Sequence, residues 1–146
     1  MRKRFARASD LGLTGREFAV LRRLDTPQKV QAFVHNLRQN FELDGQNCRP
    51  VREVLRSRRA HCIEGAMVAA AALWVHGEPP LLLDTRAERD YDHVVSLFRR
   101  HRLDFLPHIA LCSETSRQAI NGPAHTVGRC SWNLSRCPRR KNLECF

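Results

Sequence analysis

The sequence has no long apolar run: its longest uncharged stretch, from Gly65 to Gly77, falls well short of the roughly 20 residues a bilayer-spanning helix needs. It also lacks the marks of a secretory leader. "MRKRFAR" leads into the polar "ASDLGLTGREF" rather than into an apolar core with a small-residue cleavage site. No membrane association and a cytoplasmic location are the resulting expectations. None of the six cysteines (Cys48, Cys62, Cys112, Cys130, Cys137 and Cys145) is arranged as C-x-x-C. In a reducing compartment they are expected as free thiols. Aromatics make up 7% of the chain and do not interleave with the basic clusters "MRKR", "RSRR", "FRRHR" and "CPRRK". A stacking platform for single strands is therefore missing, which argues against specific nucleic-acid binding.

What is present is a basic chain of 146 residues with a net charge of +10, nearly all of the positive charge being arginine. That length suits one domain able to bury a core. The charge speaks to solubility and to non-specific attraction to anions, not to fold.

Helical signals dominate the first half. Residues 1–24 read as a lead-in segment with a short helical stripe at Phe18, Leu21 and Leu24. In "LDTPQKVQAFVHNLRQNF" Thr26 can cap a helix that opens on Pro27, where a missing N–H costs nothing. Val30, Phe33, Val34 and Leu37 then form its inward face, and His35 lies off it. "LDGQNCRP" is a turn carrying Cys48, and Pro50 opens a second short helix with Val51, Val54 and Leu55 inward. A third runs from about Cys62 to Trp74; its alanines favour helix and let neighbours approach closely, and "HGEPP" ends it.

Strands follow. "LLLD" is a short continuous apolar run, and "HVVSLF" alternates, with His93, Val95 and Leu97 on one face and Val94, Ser96 and Phe98 on the other. Helices followed by strands argue an α+β domain, an antiparallel sheet packed on the central helix. One further strand is expected around His108 to Leu111. The core spans residues 25–111, and residues 112–146 lose all periodicity while gaining Cys, Ser, Pro and Arg, so they read as a disordered tail.

The residues that carry chemistry sit at the start of the third helix. A cysteine acts as a nucleophile through its thiolate, and a helix N-terminus stabilises that anion through its dipole and outward N–H groups. Cys62 has this position, and His93 at the head of a strand is the candidate imidazole base. His61 is adjacent, but neighbouring side chains at a helix start diverge. The opposing reading is a buried structural cysteine. Glu64 in the first turn suits the dipole and is read as structural. A zinc site from Cys112, His125, Cys130 and Cys137 is disfavoured by its irregular gaps.

"LDTPQKVQAFVHNL", "DGQNCRPVREVLRSRRAHCIEGAMVAAAALWVHGEPPLLLD" and "DYDHVVSLFRR" together resemble a bacterial group of transglutaminase-like proteins of the papain-like cysteine-enzyme superfamily. The resemblance covers about residues 24–100. It implies a papain/transglutaminase-like fold, Cys62 as nucleophile, His93 as base, a carboxylate or amide on the next strand to orient the imidazole, a peptide or amide substrate, and no cofactor or metal. The reaction implied is acyl transfer or amide hydrolysis. Beyond "FRR" such a family would continue with a Gly- and Trp-containing turn and a closing strand, whereas this chain continues "HRLDFLPHIALCSETSRQAINGPAH". Asp104 is taken as the orienting residue, with His108 and Asn121 behind it. The same departure suggests an out-of-frame tail, and with it two alternatives to an enzyme: an inactive domain that binds a partner, or a non-functional product.

Overall fold

The computed structural model describes residues 4–40, 48–85, 93–100 and 104–109. Within them four helices and two small sheets make a mixed α+β architecture. Residues from 110 onward, and with them the expected tail, Asn121 and the cysteines Cys112 to Cys145, lie outside the described residues.

A 3₁₀ turn at Ser9–Leu11 precedes α1 (Gly15–Arg22), which begins with a capping box. Glu17 N–H donates to Thr14 Oγ1 at 3.4 Å, and Thr14 N–H donates to Glu17 Oε2 at 2.8 Å. Helix α2 (Pro27–His35) opens on its proline, with Lys29 N–H donating to Thr26 Oγ1 at 3.3 Å. Helix α3 (Val51–Ser57) follows Pro50 and stops at Arg58, whose left-handed φ of 55° is taken up by a non-glycine residue. The longest helix is α4 (Cys62–Val75). Gly77, at φ 83°, closes it: Gly77 N–H donates to Trp74 O and Glu78 N–H to Leu73 O, each at 3.0 Å, the paired bonds of a Schellman motif.

Helix α4 is apolar on every side, which is why it is central. Ala66, Val68, Ala69, Ala70, Ala71 and Ala72 are completely buried, and α1, α2, α3 and the larger sheet all pack against it. Small side chains make that possible, because only they let several elements reach one helix at close range. The boundary expected at residue 24 does not separate two structural units. Ala6, Leu11, Leu13, Leu21 and Leu24 are buried in the same cluster as α4, and Ala6 N–H donates to Trp74 O at 3.1 Å. A sparse apolar stripe was legible there; its docking partner was not.

The larger sheet has the order β3–β4–β5, all antiparallel. Strand β3 (Leu81–Thr85) pairs with β4 (His93–Arg100), and β4 with β5 (Asp104–Ile109). The third strand thus begins earlier than the expected His108–Leu111. Its register slips by one residue opposite the Ser96–Phe98 stretch, where Pro107 has no N–H to offer the ladder. Alternation divides the sheet into two faces: Leu82, Val94 and Phe98 join the α4 core, while Leu81, Leu83, Val95 and Leu97 form a second cluster. A smaller parallel pair, β1 (Arg38–Gln39) with β2 (Arg59–Ala60), was not visible in the sequence; two-residue strands have no period to read.

Glu17 also ties α1 to α3. Its carboxylate accepts from Arg56 Nε at 2.7 Å and Arg52 Nε at 3.2 Å. The Thr14 backbone N–H, with Arg56, the Thr14 hydroxyl and Arg52, holds its pKa at about 2, below the ordinary 4.5. A depressed folded pKa means the stabilisation is present above the ordinary value and is lost as pH falls toward about 2. Urea midpoints taken at about pH 6 and about pH 3 should fall more for wild type than for Glu17→Gln, whose side chain does not titrate. Equal falls would show that Glu17 is not a stabilising carboxylate.

Candidate functional site

Cys62 is the first residue of α4, half-buried and outside any disulfide. Its position depends on how the chain from Arg58 to His61 is held, and four contacts help to hold it. Arg38 N–H donates to Arg58 O at 3.0 Å and Asn40 N–H to Ala60 O at 3.1 Å, clasping β2 against β1. The Arg58 guanidinium lies 4.5 Å from the centroid of the Phe33 ring, a cation–π contact. Arg49 Nη2 donates to Arg59 O at 3.1 Å.

Two residues along α4 from Cys62 is a carboxylate that accepts four hydrogen bonds among the described residues. Glu64 is completely buried, one of two polar residues with that status, the other being Ser96. Its carboxylate accepts from Arg49 N–H at 2.9 Å, Arg49 Nε at 3.0 Å, Arg49 Nη2 at 3.2 Å and His61 N–H at 3.0 Å. The Arg49 side chain is 21% exposed, so one member of the pair is dry and the other is partly wet. His61 Nε2 stands 3.7 Å from Glu64 Oε1. This arrangement satisfies a buried charge with a two-pronged guanidinium and two main-chain donors, as such a charge requires. Glu64 does carry the structural role expected of it. Arg49 is the residue that sequence reasoning missed, since nothing local distinguishes it from the other arginines.

Cys48 departs from the free-thiol expectation: it is disulfide-bonded.

His93 is the first residue of β4 and pairs with Thr85 of β3. Strand β4 packs on α4, so the element that carries His93 adjoins the helix that carries Cys62. The ladder adds a complication. Thr85–His93 continues the series Leu81–Leu97 and Leu83–Val95, which belongs to the second cluster and not to the α4 face. Asp104 is not brought to His93. It opens β5 opposite Arg100, seven residues along β4 from His93, and at about 3.3 Å per residue that is about 23 Å. A side chain cannot reach so far, and the antiparallel return of the chain is the reason. His108 lies in β5 near Ser96, closer along β4, at the register slip.

Among the described residues no cluster of His, Cys, Asp or Glu could hold a metal ion, and no helix is long and apolar enough to cross a membrane. The zinc residues weighed above, Cys112, His125, Cys130 and Cys137, lie outside the described residues. Compared with known proteins, the chain matches no family model and no curated sequence. The class that the fold defines is α+β.

Proposed function

We propose that the protein is a transglutaminase-like, papain-fold cysteine enzyme that performs acyl transfer or amide hydrolysis through Cys62, with His93 as its base. The observation that supports this most is Cys62 itself, the first residue of a 14-residue buried helix, on a helix start held rigidly by Arg49 and Glu64. A thiol there meets the positive end of the helix dipole, which favours the thiolate. The thiolate would attack a carboxamide or peptide carbonyl to give a thioester and release an amine. His93 would return a proton to that amine, and water or a second amine would resolve the thioester. The Cys62 N–H, at the start of the helix, would serve as an oxyanion donor.

A second reading, an inactive domain of the same fold that binds a partner, is favoured by one observation: the ladder places position 93 in register with the face turned from α4. Alkylation by iodoacetamide separates the two. An enzyme is expected to show selective labelling of Cys62 near neutral pH, slowed tenfold or more in His93→Ala, an order typical of a general base. Labelling of Cys62 at the rate of an ordinary thiol, unchanged in His93→Ala, would establish the binding module instead.

A further inference from the structure

A fully buried carboxylate two residues from a proposed nucleophilic thiol is chemically awkward, because a like charge nearby raises the pKa of the thiol and suppresses the thiolate. Glu64 nevertheless serves two connections that no apolar residue could make. It accepts the His61 N–H that sets the start of α4, and it accepts the main-chain N–H of Arg49, fifteen residues earlier, which brings the α3 approach to the same point. The Arg49 guanidinium then meets the carboxylate with Nε on Oε1 and Nη2 on Oε2. Its remaining reach goes to Arg59 O and to Ser57 Oγ at 3.4 Å, so the fork is oriented from both sides.

We infer that Arg49 and Glu64 form a positioning pair for Cys62, in which Glu64 builds the helix start and Arg49 cancels the carboxylate charge that would otherwise oppose the thiolate. The inference rests on the reading of Cys62 as the reactive thiol, but its test is read on that thiol whether or not turnover occurs. Among the described residues, the charged and titratable groups on the elements that meet at this helix start are Glu64 on α4, His61 at its N-cap, Arg49 ahead of α3, Arg58 and Arg59 on the approach through β2, and His93 at the head of β4, which adjoins α4. Of these, Arg49 alone makes a fork on Glu64 among the described contacts.

A purely structural pair would affect Cys62 the same way whichever member is removed. A charge-cancelling pair gives opposite signs. The pH dependence of Cys62 alkylation, located by peptide mapping of the full chain, is expected to move upward in Arg49→Met, with the rate near neutral pH falling about threefold or more. It is expected to move downward in Glu64→Gln, where the amide still accepts from His61 N–H but carries no charge. The double variant should lie close to wild type, and Arg49→Lys, which keeps the charge and loses the fork, should lie between wild type and Arg49→Met. Shifts of the same sign in the two single variants, or no shift in either, would overturn the inference. Should Arg49→Met fail to fold by circular dichroism, Glu64→Gln decides alone: a downward shift supports the pair, and no shift or an upward one refutes it. His93→Ala tests the nucleophile reading separately, so a thiol indifferent to His93 but sensitive with opposite signs to Arg49 and Glu64 would sink that reading and leave this one standing.

Discussion

Glu64→Ala is expected to destabilise the protein by about 3–5 kcal/mol, the range found when one partner of a buried ion pair is removed. The magnitude follows from what is left behind. Arg49 loses the carboxylate acceptor of Nε and one of the two acceptors of Nη2, and its own N–H and that of His61 lose the carboxylate as well. A main-chain donor stripped of its partner in a dry site costs about 1–3 kcal/mol by itself. Arg49 is partly exposed, so water relieves some of its charge. Small domains have about 5–15 kcal/mol of stability, so this loss is about a fifth of it or more. Glu64→Gln should cost less, because its amide oxygen still accepts. Urea titrations at neutral pH give both numbers, and a Glu64→Ala loss below about 1 kcal/mol would mean that the pair is surface-like in its energetics. The contrast within the molecule is Asp25–Lys29, also short at 2.7 Å, whose side chains are about half exposed. Screening by water leaves such a pair with little to contribute, so distance alone is a poor guide.

The second large effect lies in the middle of α4. Met67→Ala should cost about 2–5 kcal/mol, since its side chain is 2% exposed and fills the centre of the main cluster. Ala70→Leu should also destabilise, by about 1–3 kcal/mol, because Ala70 is completely buried where packed elements leave no room for three more carbons. Loss in both directions, from deletion and from addition, is the signature of a close-packed helix. If thermal or urea unfolding showed that Ala70→Leu is neutral, the neighbours of α4 would have to stand further off than the burial of its alanines indicates. The Met67 result is the larger because a cavity cannot fully collapse among four helices and a sheet, whereas an overpacked side chain can displace its neighbours.

These effects bear on function through one element. The alanines of α4 allow the helix to be buried, and its burial is what gives Cys62 a fixed place at the edge of the core. A thiol on a frayed helix end would lose both its geometry and much of the dipole's influence, since that influence is confined to the first turn.

Much of this was legible beforehand, for identifiable reasons. Thr26-Pro27 and Pro50 are local signals, read by the first turn that follows them, and α2 and α3 begin where they indicate. The alanine run and the stop at Gly77 likewise locate α4, and "HVVSLF" locates β4, because side-chain periods of 3.6 and 2 are properties of the chain alone. The role of residues 4–24 was not legible, since a short stripe such as Leu21 and Leu24 does not say what will cover it. Cys62 could be singled out because a helix start acts on the residue that occupies it. Glu64 could be given a structural role from its place in the first turn, but Arg49 could not be matched to it across fifteen residues.

What the sequence by itself determined, then, is the kind and place of each long element and the presence of a cysteine at the head of the central helix; these depend on interactions within a few residues. Only the tertiary structure decided that Arg49 closes on Glu64, that the first residues join the core, that the face of Val94 and Phe98 rather than that of Val95 and Leu97 joins the α4 cluster, and that Asp104 stands at the far end of β4 from His93. Register and long-range pairing are set by how the whole chain closes on itself, and a shift of one residue along a strand would exchange its faces without altering a single local signal.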